Sequence, residues 1–316
     1  MIVYSTPLMQ RFRGLTVRDG VLLRGPASWA EFSPFTEYSD AVALPWLRAA
    51  IEAATLPFPT PVRQTVPVNV TVPAVDPPRA HRIVAASGCT TAKVKVAEPG
   101  QSRSEEIARL EAVRDALGPA GRIRIDANAG WDLDQARAAL PALDRAADGL
   151  EYAEQPCAAV EELAALRRSQ DVPIAADESI RRSDDPLRVA RLEAADVVVL
   201  KVQPLGGVRA CLRLAEQIGL PVVVSSALES SVGIAMGVAL AAALPELPYA
   251  SGLATVNLME HDVTAAPLLP VGGQLPVRRV EPDGPLTPAA PARAAWWRER
   301  IRRVAHLGGL TLPEED

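Results

Sequence analysis

The chain has 316 residues, 48% of them hydrophobic and 22% charged, with a formal net charge of −5. That is enough globular chain for one large α/β barrel with extra elements, or for two ordinary domains. The acidic balance, with arginines scattered among acids, argues against nucleic acid or an anionic membrane surface as a partner. The longest apolar run, Val232 to Leu244, is 13 residues, too short to span a bilayer. The opening MIVYSTPLMQRFRG has no apolar core of signal-peptide length. Cys89, Cys157 and Cys211 are an odd set without metal-ligand spacing, which reads as thiols in a reducing cytoplasm.

In chain order, GLTVRDGVLLRG (Gly14 to Gly25) alternates and predicts a hairpin turning at Asp19-Gly20. WAEFSPFTEYS (Trp29 to Ser39) interleaves aromatic and polar residues, as either a hydrophobic mini-core or a lid over a pocket. DAVALPWLRAAIEAA (Asp40 to Ala54) carries helical spacing. Residues 1–60 thus read as an α+β capping unit. From PVNVTVP (Pro67 to Pro73) onward, strand and helix alternate with a beat of roughly 25 residues. Strands are predicted near 68–72, 91–96, 122–126, 150–154, 173–177, 197–202, 221–225 and 249–253. Eight short strands separated by helices favour a (β/α)8 TIM-type barrel over residues 61–256, and no GxGxxG follows the first strand to suggest a dinucleotide fold. Residues 257–316 are expected to pack back on the N-terminal unit, ending in a basic helix, Arg293 to Leu307, with a solvated charged face.

Five of the apolar runs finish in charge: TAKVKV, RIRIDAN, LEYAEQP, IAADES and VVVLKVQP. A buried strand ends this way only when its charges have partners, and the C-terminal strand ends of a barrel are where chemistry is carried. Asp126, Glu154 and Asp177 brought together would repel one another and take up protons. A hard divalent cation resolves this; all-oxygen ligation fits Mg2+, with Mn2+ as the alternative. The competing arrangement is a ring of ion pairs with Lys93, Lys95 and Lys201. Lys95 on the second strand and Lys201 on the sixth face each other across the barrel. A lysine crowded by a second cation and a metal can act as a base near neutral pH. The derived chemistry is removal of a proton α to a carboxylate of a small-molecule substrate. Arg124 either holds a substrate carboxylate bidentately or pairs with an acid such as Glu154. Asn128 is expected to orient a metal ligand. Ser226, with Ser230 and Ser231, could meet a substrate carboxylate at a helix N-terminus, the other role of Ser230 being to cap that helix. Ser251 and Gly252 end the last strand and leave room for a ring.

These motifs, Lys93-Val94-Lys95, Asp126-Ala127-Asn128, Glu154-Gln155-Pro156, Asp177-Glu178-Ser179 and Lys201 through Gly206-Gly207, resemble those of the muconate-lactonizing subgroup of the enolase superfamily over about residues 65–255. The spacings of 28, 23 and 24 residues from Asp126 to Glu154, Asp177 and Lys201, by subtraction, fit as well. The resemblance implies a modified (β/α)8 barrel with an N-terminal α+β capping domain. It also implies magnesium on Asp126, Glu154 and Asp177, Lys95 as acid/base, Lys201 opposite, and Lys93 in support. Within the subgroup, Phe12 to Phe35, Arg124 and SSALESSVG (Ser225 to Gly233) are similar to the dehydratases of menaquinone biosynthesis. That implies a syn elimination of water from a succinyl-bearing hydroxycyclohexadiene carboxylate, with Lys95 moving the proton. Racemases of N-succinylamino acids and dipeptide epimerases are the alternative, since both lysines are present. The sequence leaves the oligomeric state open, a monomer being sufficient.

Overall fold

In a computed structural model, which describes residues 1–284 and 286–313, the alternating start of the chain forms a long ribbon. β1 (Ile2–Phe12) pairs antiparallel with β2 (Leu15–Arg24), β3 (Trp29–Phe32) adds to β2, and α1 (Asp40–Thr55) packs across them. Ser39 caps α1 by accepting from the Val42 N–H. The ribbon reverses at Arg13-Gly14, both with positive φ (51° and 77°), and not at Asp19-Gly20 as the sequence suggested. Asp19 and Gly20 run on within β2 opposite Ser5 and Tyr4. Gly20 is small because the sheet is crowded there: a Cβ would lie 2.6 Å from that of Ser33. Asp19 pairs with Arg293, Nε to Oδ2 at 2.5 Å.

The barrel follows. β4 (Thr65–Pro67) precedes the first barrel strand, β5 (Val70–Val72), and then α2 (Pro77–Ser87), β6 (Thr91–Lys95), α3 (Arg103–Leu117), β7 (Arg122–Asp126), α4 (Leu133–Ala147), β8 (Leu150–Glu154) and α5 (Val160–Arg167) alternate. β9 (Ile174–Ala176) leads into two single-turn helices, α6 (Glu178–Arg181) and α7 (Arg188–Arg191). β10 (Val197–Lys201), α8 (Val208–Ile218), β11 (Val222–Ser225) and α9 (Ser231–Ala243) complete the alternation. The strands form one parallel sheet in the order β11-β10-β9-β8-β7-β6-β5, and their runs of Val, Ile and Ala are the continuous apolar kind that a sheet buried on both faces requires. The predicted last strand shrinks to Ser251 and Gly252. These bridge Val68 on one side and Ser225 on the other, which closes the barrel.

The C-terminal segment returns to the first. β12 (Gln274–Pro276) pairs with β4, while Met259 and Pro288 bridge to Leu8 and Tyr4 of β1. α10 (Pro291–Gly308) lies on α1, with Trp297 fully buried and edge-on to Phe32. Pro285 and residues 314–316 lie outside the described residues. The basic face expected on this helix is solvated at Arg298 and Arg302 but not at Arg300, which is buried and donates to the carbonyls of Phe35 and Tyr38. Cys89, Cys157 and Cys211 are buried and free. Among the described residues no helix is long and apolar enough to cross a membrane.

Arg124 corrects the expectation of a substrate contact. It is fully buried inside the barrel, below the strand ends. Its Nε donates to Glu151 at 2.6 Å, and its Nη1 to Tyr152 Oη at 3.0 Å and to the Ala250 carbonyl at 2.7 Å. The partner is Glu151 because β8 carries an irregularity: Ile123 pairs with Leu150 and Arg124 with Tyr152, leaving Glu151 as the extra residue.

Two substitutions test this framework by urea unfolding. Gly20→Ala drives a methyl into Ser33 and is expected to cost about 1–3 kcal/mol. Arg124→Met leaves the largely buried Glu151 carboxylate with only the exposed Arg122, 3.7 Å away, and is expected to cost at most about 3–5 kcal/mol. In both cases the midpoint falls at unchanged slope.

Candidate active site

Register gathers the charged residues. In the parallel pairs Lys95 lies opposite Asp126, and Asp126 opposite Glu154. Asp177 follows β9 directly, and Lys201 closes β10 opposite Ser225. Above these ends opens a cavity of about 900 Å³. Of the site residues read from the sequence, Lys93, Lys95, Asp126, Asn128, Lys201, Ser226 and Gly252 line it. Glu154 and Asp177 sit behind the wall, each bonded to a lysine that lines it. Ser251 does not reach the cavity: its backbone pairs with Pro67 and Asn69, and its hydroxyl is buried without a partner.

The charges are matched locally. Lys93 Nζ donates to both Glu154 oxygens at 3.0 Å and lies 3.2 Å from Asp126 Oδ2. Lys95 Nζ donates to Asp126 Oδ2 at 2.6 Å and to Asn128 Oδ1 at 2.5 Å. Lys201 Nζ donates to Asp177 Oδ2 at 2.7 Å, and Arg181 Nε to Asp177 Oδ1 at 2.9 Å. The ion-pair ring weighed in the sequence is thus what the side chains adopt here. Among the described residues no three His, Cys, Asp or Glu side chains are already gathered as a metal cluster. Burial alone would push Asp126 and Asp177 up. Lys95 and Lys93 outweigh it at Asp126, and Arg181 and Lys201 at Asp177, so both carboxyls are held well below the usual range. Burial would pull Lys93 down, but Glu154 and Asp126 hold it up. Glu154 goes the other way: burial and the charges of Asp126 and Asp177 push it to about 7 despite Lys93.

That imbalance is where a divalent cation fits. Glu154 faces two other carboxylates, and Glu178 Oε2 nearby is buried with no hydrogen-bond partner. The donors are all oxygen, as hard cations prefer. Asp126, Glu154 and Asp177 are the residues that could hold such an ion. Lys93 and Lys95 would then give up some of their bonds to them and be freed toward the cavity.

Several contributors were not singled out in the sequence. Gln155, fully buried with φ of +40°, ties one strand end to the next. Its Oε1 accepts from the Asp177 and Ser179 N–H groups at 2.9 and 3.1 Å, and its Nε2 donates to Ser179 Oγ at 2.7 Å. Arg109 Nη1 donates to the Lys95 carbonyl at 2.9 Å, and Glu106 Oε1 accepts from the Ala97 N–H at 2.6 Å. From the capping unit, the ribbon tip from Gln10 to Gly14 and the rings of Phe35 and Trp46 line the cavity, with Phe12 5.8 Å from Lys95 Nζ. Of the aromatic stretch Trp29–Ser39, Phe32 is in the core and Phe35 lines the cavity. The Asn128 backbone N–H donates to Asp126 Oδ1 at 3.0 Å, and its side-chain oxygen accepts from Lys95 Nζ. Ser230 and Ser231 do not face the cavity. The Ser230 hydroxyl donates to Glu31, and Ser231 Oγ accepts from the Leu268 N–H.

Comparison with known proteins agrees with this architecture. The family described as enolase C-terminal domain-like matches residues 78–285, and the one described as enolase N-terminal domain-like matches residues 3–54. An o-succinylbenzoate synthase of Thermobifida fusca is 63% identical over 95% of this chain and 97% of its own. Another, of Mycolicibacterium smegmatis, is 54% identical over 95% and 93%. Among solved structures, the L-Ala-D/L-Glu epimerase of Bacillus subtilis superposes with a TM-score of 0.75 at 21% identity, covering 91% of this chain and 97% of that one. A muconate lactonizing enzyme of Pseudomonas fluorescens does so with 0.75 at 22% identity, covering 94% and 97%. These two share the fold. The family matches span the cap and the barrel, and the close relatives span nearly the whole chain: the chain belongs to the enolase superfamily, in the family of the o-succinylbenzoate synthases.

Proposed function

We propose that the chain is an o-succinylbenzoate synthase. It converts 2-succinyl-6-hydroxy-2,4-cyclohexadiene-1-carboxylate into 2-succinylbenzoate and water, a step of menaquinone biosynthesis. The observation that carries the reading is 54–63% identity over nearly the whole chain to enzymes of that name, joined to two lysines, Lys95 and Lys201, that line one cavity and are held by different carboxylates. Arg11, Arg13, Arg79 and Arg182 also line the cavity, which suits a substrate with two carboxylates.

Members of the superfamily use a divalent metal, and we assign Mg2+ on Asp126, Glu154 and Asp177, with Mn2+ as a substitute. When bound, the metal supplies Lewis-acid stabilisation of the charge that develops on the ring carboxylate. Lys95 takes the α-proton, the electron pair moves into the ring as the C–O bond breaks, and the same ammonium returns a proton to the departing hydroxyl. The products are an aromatic ring and one water. Lys201 stays cationic beside the developing charge, and Lys93 holds Glu154 and Asp126 in place. Phe12, Phe35 and Trp46 exclude water, which strengthens each of these charge interactions. We assign the enzyme to the cytoplasm, where its three cysteines would remain thiols. A second reading, racemisation of N-succinylamino acids, rests on Lys201 standing where a second base would.

An absorbance assay on the cyclohexadiene substrate should show rapid aromatisation that EDTA abolishes and added Mg2+ restores. Lys95→Ala and Lys201→Ala should each lose roughly 10²–10⁴-fold or more in kcat. No aromatisation, with solvent deuterium entering N-succinylamino acids instead, would overturn the dehydratase in favour of the racemase. Asn128→Ala removes an acceptor from Lys95 and a carbamoyl contact to Glu178. It should lower kcat by roughly 10–100-fold, or weaken Mg2+ by a similar factor, at unchanged fold.

A further inference from the structure

We infer that Glu31 and Arg18 of the capping unit are positioning residues that fix one wall of the substrate pocket, Ser225–Leu228, and through it substrate affinity. The inference rests on the proposed dehydratase reading. The wall is the loop between β11 and α9. Ser225, Ser226, Ala227 and Leu228 line the cavity, and Ser226 Oγ lies 2.8 Å from Thr255 Oγ1. Leu228 is held at φ +64°, a conformation that a β-carbon disfavours.

The capping unit grips this loop on both sides of its backbone. Arg18 Nε donates to the Leu228 carbonyl at 2.7 Å, and Nη2 to that of Ala227 at 3.4 Å. Glu31 Oε2 accepts from the N–H groups of Ser230 at 3.1 Å and Gly233 at 3.2 Å, and from the Ser230 hydroxyl. Its other oxygen accepts from Tyr4 Oη at 2.8 Å and Ser33 Oγ at 2.6 Å. Arg18 Nη2 also reaches Ser33 Oγ at 2.9 Å, completing the network. Both residues are buried and neither lines the cavity, so they act through the wall rather than on the substrate.

Two features make this more than domain glue. A helix N-terminus leaves amides that attract anions, and the one at α9 opens beside the pocket. Its own N-cap residue, Ser230, makes no side-chain cap bond; a carboxylate from the other unit caps it instead. The Ser230 and Gly233 amides are thereby engaged by Glu31 rather than left to a substrate anion. In addition, apolar side chains could join two units without the desolvation cost of a buried carboxylate and guanidinium. A buried pair with its donors and acceptors engaged specifies one backbone arrangement.

The test compares wild type with Glu31→Ala, Glu31→Gln and Arg18→Met. It reads kcat and KM for dehydration, the dissociation constant of 2-succinylbenzoate by calorimetry, and amide hydrogen exchange. Glu31→Ala and Arg18→Met should raise KM and the dissociation constant roughly tenfold or more, with kcat within about threefold. Exchange should quicken in residues 225–234 and stay unchanged in 93–128. Glu31→Gln, which keeps the shape and one acceptor, should fall nearer wild type, and with Arg18→Met it carries the test if Glu31→Ala does not fold. Faster exchange with unchanged KM, or a loss confined to kcat, overturns the inference. Failure of the wild type to aromatise its substrate sinks the dehydratase alone, because the wall is still read through the dissociation constant.

Discussion

Buried charge can exist at these strand ends only because each end faces its opposite. Asp126, Glu154, Asp177 and Glu178 lie among Lys93, Lys95, Lys201 and Arg181, and removing any one leaves an uncompensated charge in a dry setting. Such pairs contribute little net stability, since desolvation consumes most of their attraction. The barrel is held instead by its Val, Ile and Ala strands, whose side chains are almost wholly buried. The charges are a functional load that the apolar core carries. Glu154 shows the strain of this arrangement, facing two carboxylates with Lys93 as its hydrogen-bonded cation. A divalent ion held there would relieve that point and compete with the lysines for the same carboxylates, which couples the two in electrostatic terms.

The two units divide the work by chemistry. The barrel supplies charge from rigid strand ends, tied laterally by Gln155 and from behind by Arg109 and Glu106. The capping unit supplies rings and shape, together with Arg11 and Arg13 at the ribbon tip. Phe35, Tyr38 and Trp46 pack edge-to-face with centroids 5.5 to 6.2 Å apart, and the Arg13 guanidinium stacks 4.1 Å from the centre of Phe35. An aromatic cover of this kind lowers the local dielectric over the charged floor.

The barrel was legible because its signals are local. Val and Ile runs ending in Lys, Asp or Glu mark both a strand and its charged end, and Asp126, Asn128 and Lys201 stand at the cavity where those runs placed them. The errors share a different cause, a partner distant in the chain. Asp19-Gly20 has the composition of a turn, but Gly20 answers to Ser33 and Asp19 to Arg293. Of the two readings of Arg124, the pairing with a neighbouring acid holds, but the acid is Glu151 and not Glu154, because the register change that delivers Glu151 leaves no mark in LEYAE. Ser230 sits at a helix start, yet the cap comes from Glu31, 199 positions earlier. Gln155 was visible within its motif, but its bonds to Asp177 and Ser179 depend on how two strands lie side by side.

The interleaving of distant segments ties the cavity's cover to residues far from it in the chain. β1 takes bridges from Met259 and Pro288, β4 pairs with β12, and α1 rests on α10. The cover over the charged strand ends therefore answers to residues more than two hundred positions away. Without α10 the ribbon that carries Phe12 and Arg13 lacks its backing and Asp19 lacks Arg293, so a substitution in α10 can be felt in the cavity without touching it.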